Sequence, residues 1–524
     1  MPYGPKRAIV MKRSARRAFA TLAVSAVGLA GCGKTGIRFT HDAAALGTSF
    51  RVSATSLRQL DMVFMIDNSG CSCYATKAQF PKLIAALKDP TDGTLPDLRI
   101  AIIDSDLGTG GAYPSGSCGP KTLPDGTSSI YGDQGRFQMI GATACGVTST
   151  DAQYLETRGN IGLNFTGDIN NVFACLAGNM GTSGCGEQHQ LQAFEFALVV
   201  GNIGNEQQRA MLRPNAPLAL VFITDEDDCS AAPNDGMFGD KQELHGESAS
   251  LRCATRAHKC GGVNLDISPP GYPTTAAFSA PFSICAARTD DCPDATDTSR
   301  PTQCSPLRSV KRMADEIKVL KAHPDEQIVV AGIFGWPLSD GDMATATYKI
   351  APVPNPNTVD TAHPTVFDLW PICYDPGHKP ASSTDFDPAA AGWGAAPGLR
   401  LSAFLDEFGD NGLKFSICQT DFSNTMSQIG AKLAKQVQNR CLPASFAQHT
   451  GCTAHFMVPL MAPDGTSSYT QQADAVPSCD SAPPAIPCYA VTPDGSPCAT
   501  GEFLVLVTGG STLTPGTMLE FTCR

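Results

Sequence analysis

Three short stretches of the chain place carboxylates and hydroxyls directly after an apolar run. Asp67-Asn68-Ser69-Gly70-Cys71 follows LDMVFMI (60–66), Thr224-Asp225-Glu226-Asp227-Asp228 follows LALVFI (218–223), and Asp104-Ser105-Asp106 follows RIAII (99–103). Oxygen donors of this kind suit a hard divalent cation, so the chemistry on offer is binding of Mg²⁺, Mn²⁺ or Ca²⁺. Each stretch also has a plainer use. Asp-Asn-Ser-Gly after a strand makes a turn and caps a helix by accepting from free backbone N–H groups. A run of acids commonly lies solvated on a loop, and Asp104 and Asp106 read first as loop-structuring residues. A shared site requires the three preceding runs to be strands of one sheet.

The elements around these stretches supply that condition. The runs at 60–66 and 218–223 are continuous and apolar, the pattern of strands covered on both faces. QIVVAGIF (327–334) and Leu413 to Cys418 repeat it. Between the strands fall helical stripes: Phe80, Leu83, Ile84 and Leu87; Ile169, Val172, Phe173 and Leu176; Leu191, Phe194, Ala197 and Leu198. Leu307, Val310, Met313, Ile317 and Leu320 mark another, Leu401 to Phe408 a short one, and Phe422 to Val437 the longest. Alternation of strand and helix predicts an α/β fold: a Rossmann-like, doubly wound, mostly parallel sheet with helices on both faces. In such a sheet, ligand groups gather at the carboxyl ends of strands near the topological switch point. Regular patterning lapses at about 229–305 and 337–397, which read as irregular, disulfide-rich insertions. The expected organisation is a signal peptide at 1–31, a linker at 32–58, the α/β domain at 59–440 and a small Cys-rich, β-containing unit at 441–524.

With strand and loop taken together, a family resemblance emerges. LDMVFMIDNSG resembles the first strand and loop of the von Willebrand factor type A (VWA) domain, and LALVFITDEDD resembles its fourth strand and acidic loop. MGTSGCGEQHQLQAFEFAL (180–198) is similar to the segment that carries the domain's threonine before a helix. The resemblance implies a metal-ion-dependent adhesion site, whose cation is held by Asp-x-Ser-x-Ser, a threonine and an aspartate. It also implies a protein partner that presents an acidic group to the cation. Carried over by position, the ligands are Asp67, Ser69 and Asp225. The threonine is Thr182, with Ser183 as an alternative, although the spacing to the helix would equally select Gly184 or Cys185. Cys71 stands at the second serine position, and a thiol is a soft ligand poorly matched to such a cation. Ser72 could restore the hydroxyl only if the loop path shifts by one residue.

Composition points to export. Lys6, Arg7, Lys12, Arg13, Arg16 and Arg17 precede an apolar stretch, Ala18 to Ala30, that is short for a membrane span. Met11 is an alternative start. The stretch ends in Leu29-Ala30-Gly31-Cys32, which resembles a bacterial lipobox and predicts lipidation of Cys32. Gly28 to Thr35 also matches a P-loop pattern, but it lacks the strand and helix a phosphate site needs. Removing residues 1–31 takes away six basic residues and no acidic one, moving the formal net charge from −12 to −18 and giving no basic surface for nucleic acid. The 21 cysteines would leave twenty for ten disulfides once Cys32 is lipidated, and no Cys-x-x-Cys suggests zinc instead. Cys71 and Cys73 are expected among the bridged ones.

These readings lead to an exported, lipid-anchored adhesion or binding protein of the cell envelope, facing either the periplasm or the outside. The alternative is a structural, cysteine-rich envelope protein with an inactive metal site. A hydrolase ranks below both: no Gly-x-Ser-x-Gly or His-Glu-x-x-His occurs, and no histidine is spaced to suggest a triad.

Overall fold

The computed structural model describes residues 48–524 except 55–57, 70–78, 90–92, 112–114, 125, 200–207, 215, 232–237, 239–248, 261–262, 265–284, 289–304, 306, 338–349, 355–364, 370, 375–393, 438–439, 462–466, 481–485, 494–497, 499–500, 511–512 and 515–516. The expected signal peptide, Cys32 and Cys71 lie outside the described residues. Among the described residues, no helix is long and apolar enough to cross a membrane.

A first strand, β1 (Thr48–Ser53), is followed by β2 (Gln59–Ile66), α1 (Phe80–Leu87) and β3 (Asp97–Ile103). Next come β4 (Leu155–Arg158), β5 (Ile161–Gly162), α2 (Ile169–Gly178), α3 (Gln190–Leu198) and β6 (Leu218–Ile223). Helix α4 (Val310–Lys318), β7 (Ile328–Phe334), α5 (Leu399–Asp406), β8 (Gly412–Ser416) and α6 (Ser423–Val437) complete the α/β part. Its seven-stranded sheet has the order β8-β7-β6-β2-β3-β4-β5. The first five strands are parallel, while β4 and β5 add antiparallel at one edge.

Both faces of the parallel core are covered, which explains the continuous apolar runs. In β2, Leu60, Met62, Phe64 and Ile66 face a cluster containing Leu83 of α1, Phe173 of α2 and Ile429 of α6. Val63 and Met65 point the other way, to Phe194 of α3, Met313 of α4 and Phe404 of α5. Alternation within an unbroken apolar run thus feeds two cores at once. The chain begins in the middle of the sheet at β2, steps out to β3, and returns to the other side of β2 with β6. That reversal is the switch point, and Ile66 pairs with Ile223 across it. The residues that follow, Asp67 and Thr224, therefore leave the sheet side by side.

Part of the stretch read as a linker is structural. β1 pairs with the last strand of the chain, β14 (Met518–Cys523), in the sheet β1-β14-β10-β11, where β10 is Thr453–Met461 and β11 Ser467–Val476. A three-stranded sheet of β9 (Cys441–Leu442), β13 (Phe503–Thr508) and β12 (Cys488–Pro493) accompanies it. Val52, Phe456, Val505, Leu519 and Phe521 share one small core. The irregular stretches contain short elements of their own, including a helix at Ala249–Ala257 and a hairpin of Ile350–Pro354 with Thr365–Leu369.

Seven disulfides are present among the described residues. Cys118–Cys185, Cys145–Cys175, Cys229–Cys253 and Cys373–Cys418 tie loops to the α/β core. Cys441–Cys498, Cys452–Cys523 and Cys479–Cys488 staple the small C-terminal sheets, whose core is too small to hold many loops without them. This is the chemistry of a chain that folds in an oxidising compartment.

Candidate functional site

Asp67 is the first residue past β2, and its backbone N–H still donates to Ile223 O of β6 at 3.0 Å. Its carboxylate is buried, and both oxygens accept hydrogen bonds. Oδ2 accepts from Thr224 Oγ1 at 2.6 Å, and Oδ1 accepts from Ser69 N at 2.8 Å and from Gln188 Nε2 at 2.9 Å. The Ser69 contact is the Asx turn expected of Asp-Asn-Ser. Gln188 Nε2 also donates to Ser69 Oγ, and Gln188 Oε1 accepts from Ser105 Oγ at 2.7 Å. All three strand ends therefore meet, with Asp67, Ser105 and Thr224 linked through one network.

Asp225 stands beside this network. Burial, and next the charge of Asp67, push its carboxyl up from 3.8 to about 8. Burial also raises Asp67, against hydrogen bonds from Thr224, Ser69 and Gln188 that lower it. Each carboxylate disfavours ionisation of the other, which favours a proton or a nearby cation at Asp225 even though that residue is only partly buried. The available donors are carboxylate and hydroxyl oxygens: Asp67, Ser69, Thr224 and Asp225. This set fits a hard divalent cation.

The loop before α3 differs from expectation. Thr182 and Ser183 are exposed, and the residue that reaches Asp67 and Ser69 from this loop is Gln188. The loop is held down at several points. Gly184 N donates to Asn68 O at 2.8 Å, and a side chain at 184 would collide with Asn68 Oδ1. Cys185 N donates to Asp106 Oδ2 at 3.1 Å, and Cys185 is bridged to Cys118. Gln188 itself is 1% exposed, and its carbonyl accepts from Cys229 N at 2.7 Å. Neither Gln188 nor Thr224 stood among the sequence-predicted ligands. Thr224 was visible as the residue opening TDEDD, whereas a glutamine in EQHQLQ gives no signal by type or spacing.

The rest of the acidic run serves the scaffold. Asp227 accepts from Arg400 N at 3.1 Å and Leu401 N at 3.2 Å, capping α5, and burial raises its carboxyl to about 7. Asp228 binds Arg400 and also accepts from Leu191 N at 2.9 Å at the start of α3. Asp104 and Asp106 behave as loop-structuring residues. Asp104 accepts from Asn68 Nδ2 at 2.9 Å, and Asp106 forms an ion pair with Lys121. Beside the site, Asn68, Asp104, Lys121, Asp133, Ser183 and Gly184 line part of a cavity of about 400 Å³. Two other groupings of metal-ligand types occur among the described residues: Glu187 with Cys229 and Cys253, and Cys441 with Cys498 and Glu502. Their cysteines are disulfide-bonded and offer no thiolate.

No known protein-family model matches the chain, and no curated protein is similar to it. Among solved structures, a match is the pilus adhesin SpaC of Lactobacillus rhamnosus GG in its open conformation. It is 9% identical, covering 90% of this chain and 39% of that one, with a TM-score of 0.26. A second form of the same adhesin is also 9% identical, covering 90% and 40%, with a TM-score of 0.28. The human COPII-coat protein Sec24c is 9% identical, covering 94% and 44%, with a TM-score of 0.24. The chain spans about two-fifths of the length of these structures. Superpositions this loose do not establish a common fold.

Proposed function

We propose that this chain is an exported, lipid-anchored binding protein whose VWA-type domain engages a protein partner through a divalent cation. The observation that carries the reading is the meeting of strand ends at the switch point, where Thr224 Oγ1, Ser69 N and Gln188 Nε2 converge on the buried Asp67 carboxylate and Asp225 follows Thr224 in the chain. Asp67, Ser69 and Asp225 would hold the ion, and Thr224 would orient Asp67 from behind. A bound cation would supply an open coordination position for an acidic group of the partner. The sequence resemblance of LDMVFMIDNSG and LALVFITDEDD supports the family, and the strand order around the switch point is compatible with it.

The test is thermal unfolding with millimolar Mg²⁺, Mn²⁺ or Ca²⁺ against EDTA. A ligand well above its dissociation constant stabilises by about 2–3 kcal/mol, so a rise of several degrees is expected. Asp67→Ala combined with Asp225→Ala should abolish the rise while leaving a folded protein. No rise with any of the three ions in the native protein would remove the cation from the reading.

A second reading, a structural envelope protein with a silent site, draws on the same geometry. Gln188 Nε2 donates to both Asp67 and Ser69 and thereby supplies part of the positive charge a cation would bring. The metal titration separates the two readings. For the anchor, Cys32→Ser should release the protein from the membrane fraction and remove lipid labelling. Unchanged membrane association would contradict it.

A further inference from the structure

We infer that Gln188 is a swivelling ligand, whose amide nitrogen holds the site closed without a cation and whose amide oxygen turns inward to bind one. The inference rests on the cation reading above and adds to it a residue and a mode of regulation.

The side chain is placed for two states. Its nitrogen faces Asp67 Oδ1 and Ser69 Oγ, and its oxygen faces Ser105 Oγ at 2.7 Å. Turning the amide by half a revolution exchanges two groups of nearly equal size. The oxygen then faces Asp67 and Ser69, and the nitrogen faces Ser105. A hydroxyl both donates and accepts, so Ser105 satisfies either orientation, donating to Oε1 in one and accepting from Nε2 in the other.

Electrostatics decides which orientation prevails. Without a cation, an amide oxygen against the Asp67 carboxylate would be repelled, and the nitrogen inward is preferred. With a divalent cation between Asp67, Ser69 and Asp225, the nitrogen would face positive charge, and the oxygen inward is preferred. Amide carbonyls are ordinary ligands for hard cations. The ion therefore has differential affinity for the two orientations, which is the condition for a ligand-driven switch.

The backbone around the switch is fixed, so the motion is confined to the side chain. His189 N donates to Ser105 O at 3.0 Å, and Cys229 N donates to Gln188 O at 2.7 Å. Gln188 thus fills a role left open by exposed Thr182, contributing an oxygen from the same loop six residues further along.

The experiment measures Ca²⁺ affinity by calorimetry in the native protein, in Gln188→Met and in Gln188→Glu, together with the melting temperature of each in EDTA. If the amide oxygen is a ligand, Gln188→Met should weaken binding about tenfold or more, the scale on which groups around metal sites act. Gln188→Glu should bind tighter than native yet melt lower in EDTA, because a carboxylate then faces Asp67 without an ion. If Gln188 merely bolts the site shut, removing the bolt leaves affinity equal or raises it. Equal or tighter binding by Gln188→Met therefore overturns the inference while the cation reading stands. Absence of binding in the native protein overturns both. Should Gln188→Met fail to fold, the side-chain amide resonances of Gln188 in the native protein decide. A Ca²⁺-dependent shift of those resonances, with loss of their hydrogen bond to Asp67, supports the swivel, and unchanged resonances in a Ca²⁺-saturated protein overturn it.

Discussion

Replacing Asp228 by alanine, or Arg400 by methionine, is expected to destabilise the α/β domain by about 3–5 kcal/mol, the cost of leaving one charge of a buried pair uncompensated. Both residues are 0% exposed. Arg400 Nε and Nη2 donate to Asp228 Oδ2 at 3.1 and 3.0 Å, and Nη2 also donates to Arg308 O at 2.7 Å. Asp228 Oδ1 accepts from Leu191 N at 2.9 Å and from Ser230 Oγ at 2.6 Å. One carboxylate thus fastens the start of α3, the start of α5 and the loop after β6. Loss of this size is a large fraction of the stability of an ordinary domain. Guanidinium unfolding at neutral pH with disulfides intact measures it, and a change below about 1 kcal/mol would show that the pair is not the anchor described. The same substitutions should loosen the loop that presents Gln188, because α3 follows it directly.

This anchor also shows where sequence reading reached its limit. TDEDD was legible as an acidic loop after a buried strand, and its strand was placed correctly. The division of labour within it was not legible. Asp225 feels the charge of Asp67, while Asp227 and Asp228 bind Arg400, whose position is 172 residues beyond Asp228. No local period connects residues so far apart.

The helices were legible because each presents an apolar stripe to a sheet face. Helix α3 is an instructive exception: all nine of its residues are buried, polar ones included. A stripe analysis finds its apolar face and misses that Gln190, Gln192 and Glu195 are enclosed as well. Gln188, just ahead of it, is hidden for the same reason, since burial of polar side chains depends on partners that lie elsewhere in the chain. The strand Thr48–Ser53 was passed over as linker although TSFRVS alternates, because its partner is the last strand of the chain. Six residues alone are a weak signal until that partner is known. The stretch between β3 and α2 had no period to read. Apart from β4 and β5, its described residues lie largely in turns tied down by bridges such as Cys145–Cys175, with glycines at positive φ.

The last expected result concerns pH. Asp225 has its carboxyl pushed up to about 8 in the folded protein, against an ordinary 3.8. Below about pH 4 it is protonated both folded and unfolded, and it contributes no pH dependence. Between about 4 and 8 the unfolded chain has released the proton while the folded site keeps it. The unfolded state then binds fewer protons, so stability falls as pH rises across that window. The limiting slope for one proton is about 1.4 kcal/mol per pH unit. The real slope is smaller, because Asp225 is partly open to solvent and its charge is screened. Asp67, also raised by burial, acts in the same direction, so the comparison that isolates Asp225 is native protein against Asp225→Asn. In EDTA, the variant should be the more stable of the two at pH 8 and the flatter across pH 5–8. Superimposable profiles would show that Asp225 does not hold a proton in this window. A divalent cation should reverse the trend, because it would take the place of the proton held at Asp225. Stabilisation by Ca²⁺ in the native protein should therefore be large at pH 8 and small at pH 5, where protons compete for the same oxygens. In Asp225→Asn that pH-dependent gain should collapse, since the amide carries no charge for the ion to neutralise. Were both results obtained, the carboxyls of Asp67 and Asp225 would couple folding, protons and cation at the strand ends where the chain reverses direction across its sheet.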